Sequence, residues 1–346
     1  MAWGQYRTIT IDETLCGTAD SINFPVLVSG TYTYLKTTGN GGKVENANGY
    51  DIAFYSDSAL TSLLDFERVG WSATTGTVEF YVEVPTLSTS ADTVIYMAYG
   101  NAAQESDLQN ATGTWNSNFL GVYHLEGNSN DSTGNNRDGT DTNISYGTTN
   151  AKFGQSAYSD ATGSTNKIAL STTSLPTGNS PITILCWFRA DDITTNGGLV
   201  GLGTNAAKQL YLPYKVGDDL YWAAAPDFLI ADYLLAATWQ RVGIRYDSTN
   251  ERILGGGATQ ASQVETTLNV AYGYANIFNS AALNESSKGY IDEVYIINAD
   301  VGASWTTADN NNQSSPSTFY AVGDEVPVGG GTVYRSKIGL LGVGNS

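Results

Sequence analysis

The chain has 346 residues and a formal charge of −18 at neutral pH, with charged residues at 14% and hydrophobic residues at 41%. That length suits two domains of ordinary size, with enough apolar residues to fill their cores. So acidic a chain repels nucleic acid and anionic membrane, and no run of residues approaches a membrane span, which excludes nucleic-acid binding and membrane insertion as roles.

Strand signals recur at short spacing and helical ones are nearly absent. No basic start and apolar run precede Tyr6, which reads as a missing export signal and predicts assembly in the cytoplasm. Strands are expected at Tyr6 to Asp12, Phe24 to Ser29, Asp51 to Tyr55, Val78 to Val84 and Thr93 to Tyr99. In the best of them Val78, Phe80, Val82 and Val84 share one face, and Glu79, Tyr81 and Glu83 the other. That alternation predicts a half-buried strand with its glutamates in solvent, ended by Pro85. Together these strands predict a β-sandwich over residues 1–114, followed by a polar boundary near Gln104 to Thr114.

A strand signal resumes at Phe119 to Leu125. The polar run Gly127 to Asn150 is too long for a simple hairpin, so it is either mobile or organised by something such as an ion. Further strands are expected at Lys167 to Leu170, Ile182 to Ala190, Gly198 to Leu202, Leu220 to Ala224, Trp239 to Tyr246 and Gly289 to Ile297, with one short helix at Thr306 to Asn312. These define a second all-β unit over residues 115–325, with a core separate from the first. Val326 to Gly331 reads as a linker, and residues 326–346 as linker and tail. The two cysteines, Cys16 and Cys186, make no disulfide framework, and Cys186 falls on the apolar face of its strand as a small hydrophobe.

Little here points to catalysis. His124 is the only histidine, lies in an alternating strand, and has no nucleophile-elbow pattern beside it. Asp292 and Glu293 are adjacent in a strand and are expected to point to opposite faces, so they make no catalytic pair. No catalytic residue is assigned. The acidic loop offers a different chemistry. Glu126, Asp131, Asp138 and Asp141 stand among Asn and Gly residues, a supply of oxygen ligands for calcium; the same residues also suit turns closed by carboxylate hydrogen bonds. Tyr214 and Trp222, beside loops, are candidate platforms for a sugar ring, while Trp187 and Trp239 lie on strands and are expected to be packed. In the tail, Ile338, Leu340, Leu341 and Val343 lie beyond the domain that would bury them. They read as a frayed end or as an anchor that docks on another subunit.

Two stretches resemble known families. Tyr6-Arg7-Thr8-Ile9-Thr10-Ile11-Asp12, Asn23-Phe24-Pro25-Val26-Leu27-Val28, Gly49-Tyr50-Asp51-Ile52-Ala53-Phe54, Val84-Pro85-Thr86-Leu87 and Ile95-Tyr96-Met97-Ala98-Tyr99-Gly100 occur in order. Together they resemble a bacterial and phage domain of unknown function that precedes lectin modules. Trp115 to Leu125, Asp131-Ser132-Thr133-Gly134-Asn135-Asn136, Lys152-Phe153-Gly154, Gly289-Tyr290-Ile291-Asp292-Glu293-Val294 and Pro316 to Gly323 resemble a concanavalin-A-like, laminin-G-like jelly roll. One departure is Ile253-Leu254-Gly255-Gly256-Gly257, where such modules carry an Asn-Gly hairpin. The resemblance implies that Asp292 joins the acidic loop as a calcium ligand. With the missing export signal, the acidic β-rich composition and the short tail after a Gly-rich linker, the domain pair reads as a phage structural protein on the virion surface (decoration, fibre or adhesin). Its partners would be capsid or tail subunits, further copies of itself, and a host-surface glycan. The alternatives are a secreted bacterial adhesin at the cell surface, and a glycan hydrolase.

Overall fold

The computed structural model describes residues 3–161, 165–204, 209–211, 213–222, 228–280 and 285–328. Alternation builds the first sandwich from β1 (Gln5–Ile11), β2 (Ser21–Thr31), β3 (Ile52–Tyr55), β4 (Phe66–Trp71), β5 (Thr77–Leu87) and β6 (Thr93–Tyr99). The order β1-β6-β3 makes one sheet and β2-β5-β4 the other, antiparallel throughout. Val78, Phe80, Val82 and Val84 are buried between them, as the pattern predicted. Phe54, Phe66 and Phe80 meet edge to face there, with centroids 5.3–6.0 Å apart.

The second sandwich is a jelly roll. Its larger sheet has eight strands, among them β7 (Phe119–Tyr123), β8 (Ser145–Gly147), β9 (Ser156–Ser159), β10 (Ile182–Ala190), β11 (Trp239–Tyr246), β12 (Asn250–Gly255), β13 (Ala258–Val264) and β14 (Gly289–Ile297). They run in the order β13-β12-β11-β10-β14-β9-β8, with β7 also paired to β14. Ile182, Ile184, Cys186 and Phe188 face inward with Val242, Ile244, Ile291 and Ile296, against Ile168, Leu202, Trp222 and Ile277 of the shorter strands opposite. Burial pushes the Cys186 thiol up to about 12, so it behaves as a hydrophobe. The turn from β12 to β13 is carried by Gly256 and Gly257 at φ +58° and +76°, which supply the left-handed pair that an Asn-Gly hairpin supplies elsewhere. A Cβ on Gly257 would lie 2.4 Å from the Thr306 carbonyl oxygen.

Two expectations about the domains need correction. Residues 320–327 do not close the jelly roll or start a linker. They form β15 (Tyr320–Val322) and β16 (Val326–Pro327), which pair with β1 through Ile9 with Val322, Ile11 with Tyr320 and Tyr6 with Val326. The free edge of β1 is thereby satisfied, and Phe319 and Tyr320 join the first core. The jelly roll is therefore inserted into the first sandwich rather than appended to it.

The cores, moreover, are not fully separate. The apolar cluster of the first sandwich continues into Phe119, Val122, Leu185, Tyr295 and Ile297, on the outward face of the eight-stranded sheet. The helix Gly302–Ser314 ties both units. Its Trp305 packs on Phe24 and Phe119, its Asn312 side chain bonds the Leu27 backbone at 2.7 and 2.9 Å, and its Gln313 accepts from Trp187 at 2.6 Å. No described helix is long and apolar enough to cross a membrane. The candidate anchor residues Ile338, Leu340, Leu341 and Val343 lie outside the described residues.

Candidate functional site

The outward face of the eight-stranded sheet carries the chemistry, and a bulge in β14 sets it up. Leu185 pairs with Tyr295 but Trp187 pairs with Asp292, so β14 holds one extra residue, and Glu293 there has φ +47°. Ile291 and Val294 point into the jelly-roll core while Tyr295 points outward. Asp292 and Glu293 consequently both leave the inner face. The expectation of opposite faces fails because strict alternation holds only for an unbulged strand.

Part of this face is covered by the sheet β2-β5-β4, which makes a buried polar seam. His124 holds Glu293 at 2.8 Å through Nδ1 and Glu67 at 3.1 Å through Nε2. Glu67 also accepts from Ser132 at 2.7 Å and from the Trp115 indole. The imidazole stacks on Tyr81 with centroids 5.0 Å apart. Burial opposes the imidazolium, but Glu293 and Glu67 outweigh it and hold His124 well above its ordinary value. Burial likewise opposes charge on Glu67, and His124 with the other donors brings it net below its ordinary value. With a carboxylate at each nitrogen, the ring has none left to serve a nucleophile.

Beside this triad, Asp292 accepts from Ser156 at 2.7 Å and from the Phe153 amide at 3.2 Å. Burial, then Glu293, pushes its carboxyl well above the usual range. Glu79 was expected in solvent. It is instead 7% exposed, because the second face of its strand packs on the jelly roll, and burial pushes it well up too. Arg241 donates to Asp309 at 2.8 Å and to the Glu293 carbonyl at 2.6 Å, with its guanidinium 4.7 Å from the Tyr295 ring.

Two clefts open along the seam and share Glu126. One, of about 260 Å³, is lined by Glu67, His124 and Ser132 among others. The other, of about 400 Å³, is lined by Trp71, Glu79, Glu126, Lys152 and Phe153 among others. Burial pushes Glu126 up and pulls the Lys152 ammonium down to about 8.

Beyond the first sandwich the same face is open. Tyr158 on β9 pairs with Tyr290 on β14, Tyr290 with Arg189 on β10, and Arg189 with Trp239 on β11. Four adjacent strands thus present one row of three aromatic rings and a guanidinium, each half-buried against its neighbours. The tyrosine rings are 4.6 Å apart, Arg189 lies 5.3 Å over Tyr290, and the Trp239 ring is 6.5 Å from that of Tyr290. Arg189 pairs with Asp191, and Asn150 donates to the Tyr290 hydroxyl while its carbonyl accepts from Trp239. Trp187 is packed as expected, but Trp239 is not fully so.

The residues expected to hold calcium are not gathered. Asp131 accepts from the amides of Val122, Thr133 and Arg137 at 2.9–3.1 Å and from the Thr133 hydroxyl. Asp138 accepts from the Asp131 amide, Asp141 from Ser129 and Tyr146, and Glu126 from the Gln155 amide. The long loop is closed by these bonds, and Glu126, Asp131, Asp138 and Asp292 do not fit a shared cation. Among the described residues, the acidic groups that do lie within mutual reach are Asp12, Glu13 and Asp92, and Asp218, Asp219 and Asp232.

The expected sugar platforms are also corrected. Trp222 is fully buried among Tyr211, Phe228 and Tyr246, and Tyr214 is buried with its hydroxyl donating to Glu285. Both stand on strands, Pro213–Val216 and Asp219–Trp222, whose pairing of Tyr214 with Tyr221 and Trp222 with Pro213 sets them on opposite faces, Trp222 in the jelly-roll core and Tyr214 in a small cluster with Leu210.

Compared with known protein families and with curated proteins, the chain matches none. Several solved structures are similar. Domain 4 of AbnA, a GH43 extracellular arabinanase from Geobacillus stearothermophilus solved in complex with arabinotriose, has a TM-score of 0.46 at 17% identity, over 56% of this chain and 98% of that domain. The botulinum neurotoxin serotype G binding domain has a TM-score of 0.46 at 14% identity, over 57% of this chain and 52% of that one. The serotype D ligand binding domain in complex with N-acetylneuraminic acid has a TM-score of 0.46 at 11% identity, over 59% and 53%. The chain spans about half the length of the toxin domains.

Proposed function

We propose that this chain is a glycan-binding surface protein, and that the glycan lies on the row Tyr158, Tyr290, Arg189 and Trp239. The alignment of that row across four strands carries the reading. Aromatic faces suit the apolar faces of sugar rings, while Arg189, Asp191 and Asn150 supply donors and acceptors for hydroxyls. With Tyr290 4.6 Å from Tyr158 and 6.5 Å from Trp239, the ring centroids span at most about 11 Å, which suits two linked sugar rings better than one. The role proposed is binding.

The setting we propose is the exterior of a virion, with a host-surface glycan as ligand and capsid or tail subunits as the mounting partner. The resemblance of the domain pair and the net charge of −18 support it. Screening the protein on a panel of immobilised glycans, beside Trp239→Ala and Tyr290→Ala, tests the binding role. A ligand whose affinity falls at least about tenfold in both variants is expected, a loss of roughly 1.4 kcal/mol. Undiminished binding by both would reject the row. Labelled antibody on purified particles tests the setting.

A further inference from the structure

The larger cleft on the seam ends close to the aromatic row. Asn150, which bonds Tyr290 and Trp239, is three residues from Phe153, which lines the cleft. Such a segment spans at most about 10 Å. Between them Lys152 sits 4.0 Å over the Trp187 ring and also lines the cleft. Row and cleft thus flank one short segment on one face.

The cleft is built for a ligand. Trp71 is pinned on its other sides: its indole nitrogen donates to the Leu35 carbonyl at 2.9 Å, and a Cβ on Gly49, at φ +71°, would lie 2.8 Å from the ring. Trp71 also lines the cleft. Glu79 is more than nine-tenths buried and lines the same space, yet its Oε1 has no hydrogen-bond partner. An unpaired buried oxygen costs about 1–3 kcal/mol, a penalty that a bound partner would remove. The ligand class follows from the lining. The Glu126 carboxyl disfavours an anion, and Lys152 disfavours a cation. An aromatic wall with several hydrogen-bonding groups suits a neutral ring rich in hydroxyls.

Resting on the reading of the row as sugar-binding, we infer that this cleft receives the end of the same glycan, as a terminal subsite for a neutral pyranose or furanose whose following residues lie on the row. The glycan then has a fixed direction, and recognition depends on chain length. Burial keeps the Glu79 carboxyl neutral well above its ordinary range, so it both donates and accepts toward hydroxyls.

The test is calorimetry with ladders of neutral linear gluco-, xylo-, manno- and arabino-oligosaccharides, from disaccharide to hexasaccharide. Wild type should gain about tenfold in affinity at the length that first spans row and cleft. Trp71→Ala and Phe153→Ala should remove that step and leave short members bound as before. Glu79→Gln should keep it and Glu79→Ala lose it, which separates a hydrogen-bonding role from mere occupancy. Ser72→Trp, which fills the cleft from its lining, guards against misfolding of the Trp71 variant and should also abolish the step. An unchanged length profile in Phe153→Ala and Ser72→Trp overturns the inference while leaving the row intact. A wild type that binds no member overturns the row, and the cleft with it.

Discussion

His124 and Glu67 stand on different sandwiches and meet, Nε2 to Oε2, at 3.1 Å. Their contact makes the seam sensitive to pH. The folded protein keeps the imidazolium to higher pH than the unfolded chain does. The stability it adds is complete below the unfolded imidazole value of about 6.5, and is lost as pH rises through the folded value. Glu79 and Asp292 act in the same direction: the unfolded carboxyls ionise near about pH 4 while the folded ones stay neutral, so their contribution is present at low pH and lost as pH climbs. Glu67, held low, acts in the opposite sense, and its contribution is lost only as pH falls through its folded value. The melting temperature should therefore decline from above about pH 4.5, through Glu79 and Asp292, and more steeply above about pH 6.5, where His124 joins them. His124→Gln should melt lower and show a flatter decline; parallel curves for the two proteins would reject this account.

Arg241 and Asp309 are both nearly inaccessible, at 1% and 3% side-chain exposure. Removing one partner strands the other charge, so Arg241→Met should cost about 3–5 kcal/mol in urea unfolding. Arg241→Met with Asp309→Leu should recover much of that loss. Additive losses in the double variant would count against the pair acting as a unit.

A fragment of residues 1–114 lacks β15, β16 and the helix residue Asn312 that bonds Leu27. It should fail to fold, giving collapsed amide dispersion by NMR, whereas residues 1–328 should give the full native spectrum. A well-dispersed 1–114 spectrum would show that the first sandwich stands without its closing strands.

The two tryptophans, Trp222 in the jelly-roll core and Trp239 on its outward face, should behave differently. Trp222→Ala opens the core and should cost about 3–5 kcal/mol. Trp239→Ala, on the open row, should cost about 1 kcal/mol or less, and its effect should appear in glycan binding instead.

The strands were legible where alternation was clean. Val78 to Val84 and Ile182 to Phe188 have the inward faces their patterns predict. What could not be read was what covers an outward face. Glu79 and Tyr81 look like a solvated side until the jelly roll packs on them. The bulge at Glu293 leaves no mark in Ile291-Asp292-Glu293-Val294, since its left-handed residue is not a glycine. The row was partly legible: Arg189 stands between Phe188 and Ala190, and Tyr290 between Gly289 and Ile291, both at outward positions. That they align depends on strand register, which no local pattern carries. Asp131 was read with its neighbours as either a calcium ligand or a turn carboxylate; it accepts from three amides, and which of the two a carboxylate gathers is decided by loop geometry, not by composition.

The pairing of β1 with β16 bears on how the molecule responds to force. Gln5 lies opposite Pro327, so the two described ends emerge side by side from the same end of an antiparallel ladder. Tension applied between them would open that ladder one rung at a time, a weak unzipping geometry, while the jelly roll, inserted behind it, would carry no load. A pull applied through a ligand on the aromatic row takes another route. It enters the jelly roll and reaches the first sandwich through two chain crossings and the packed seam together. The protein should thus yield easily at its ends and resist strongly between its glycan face and its base.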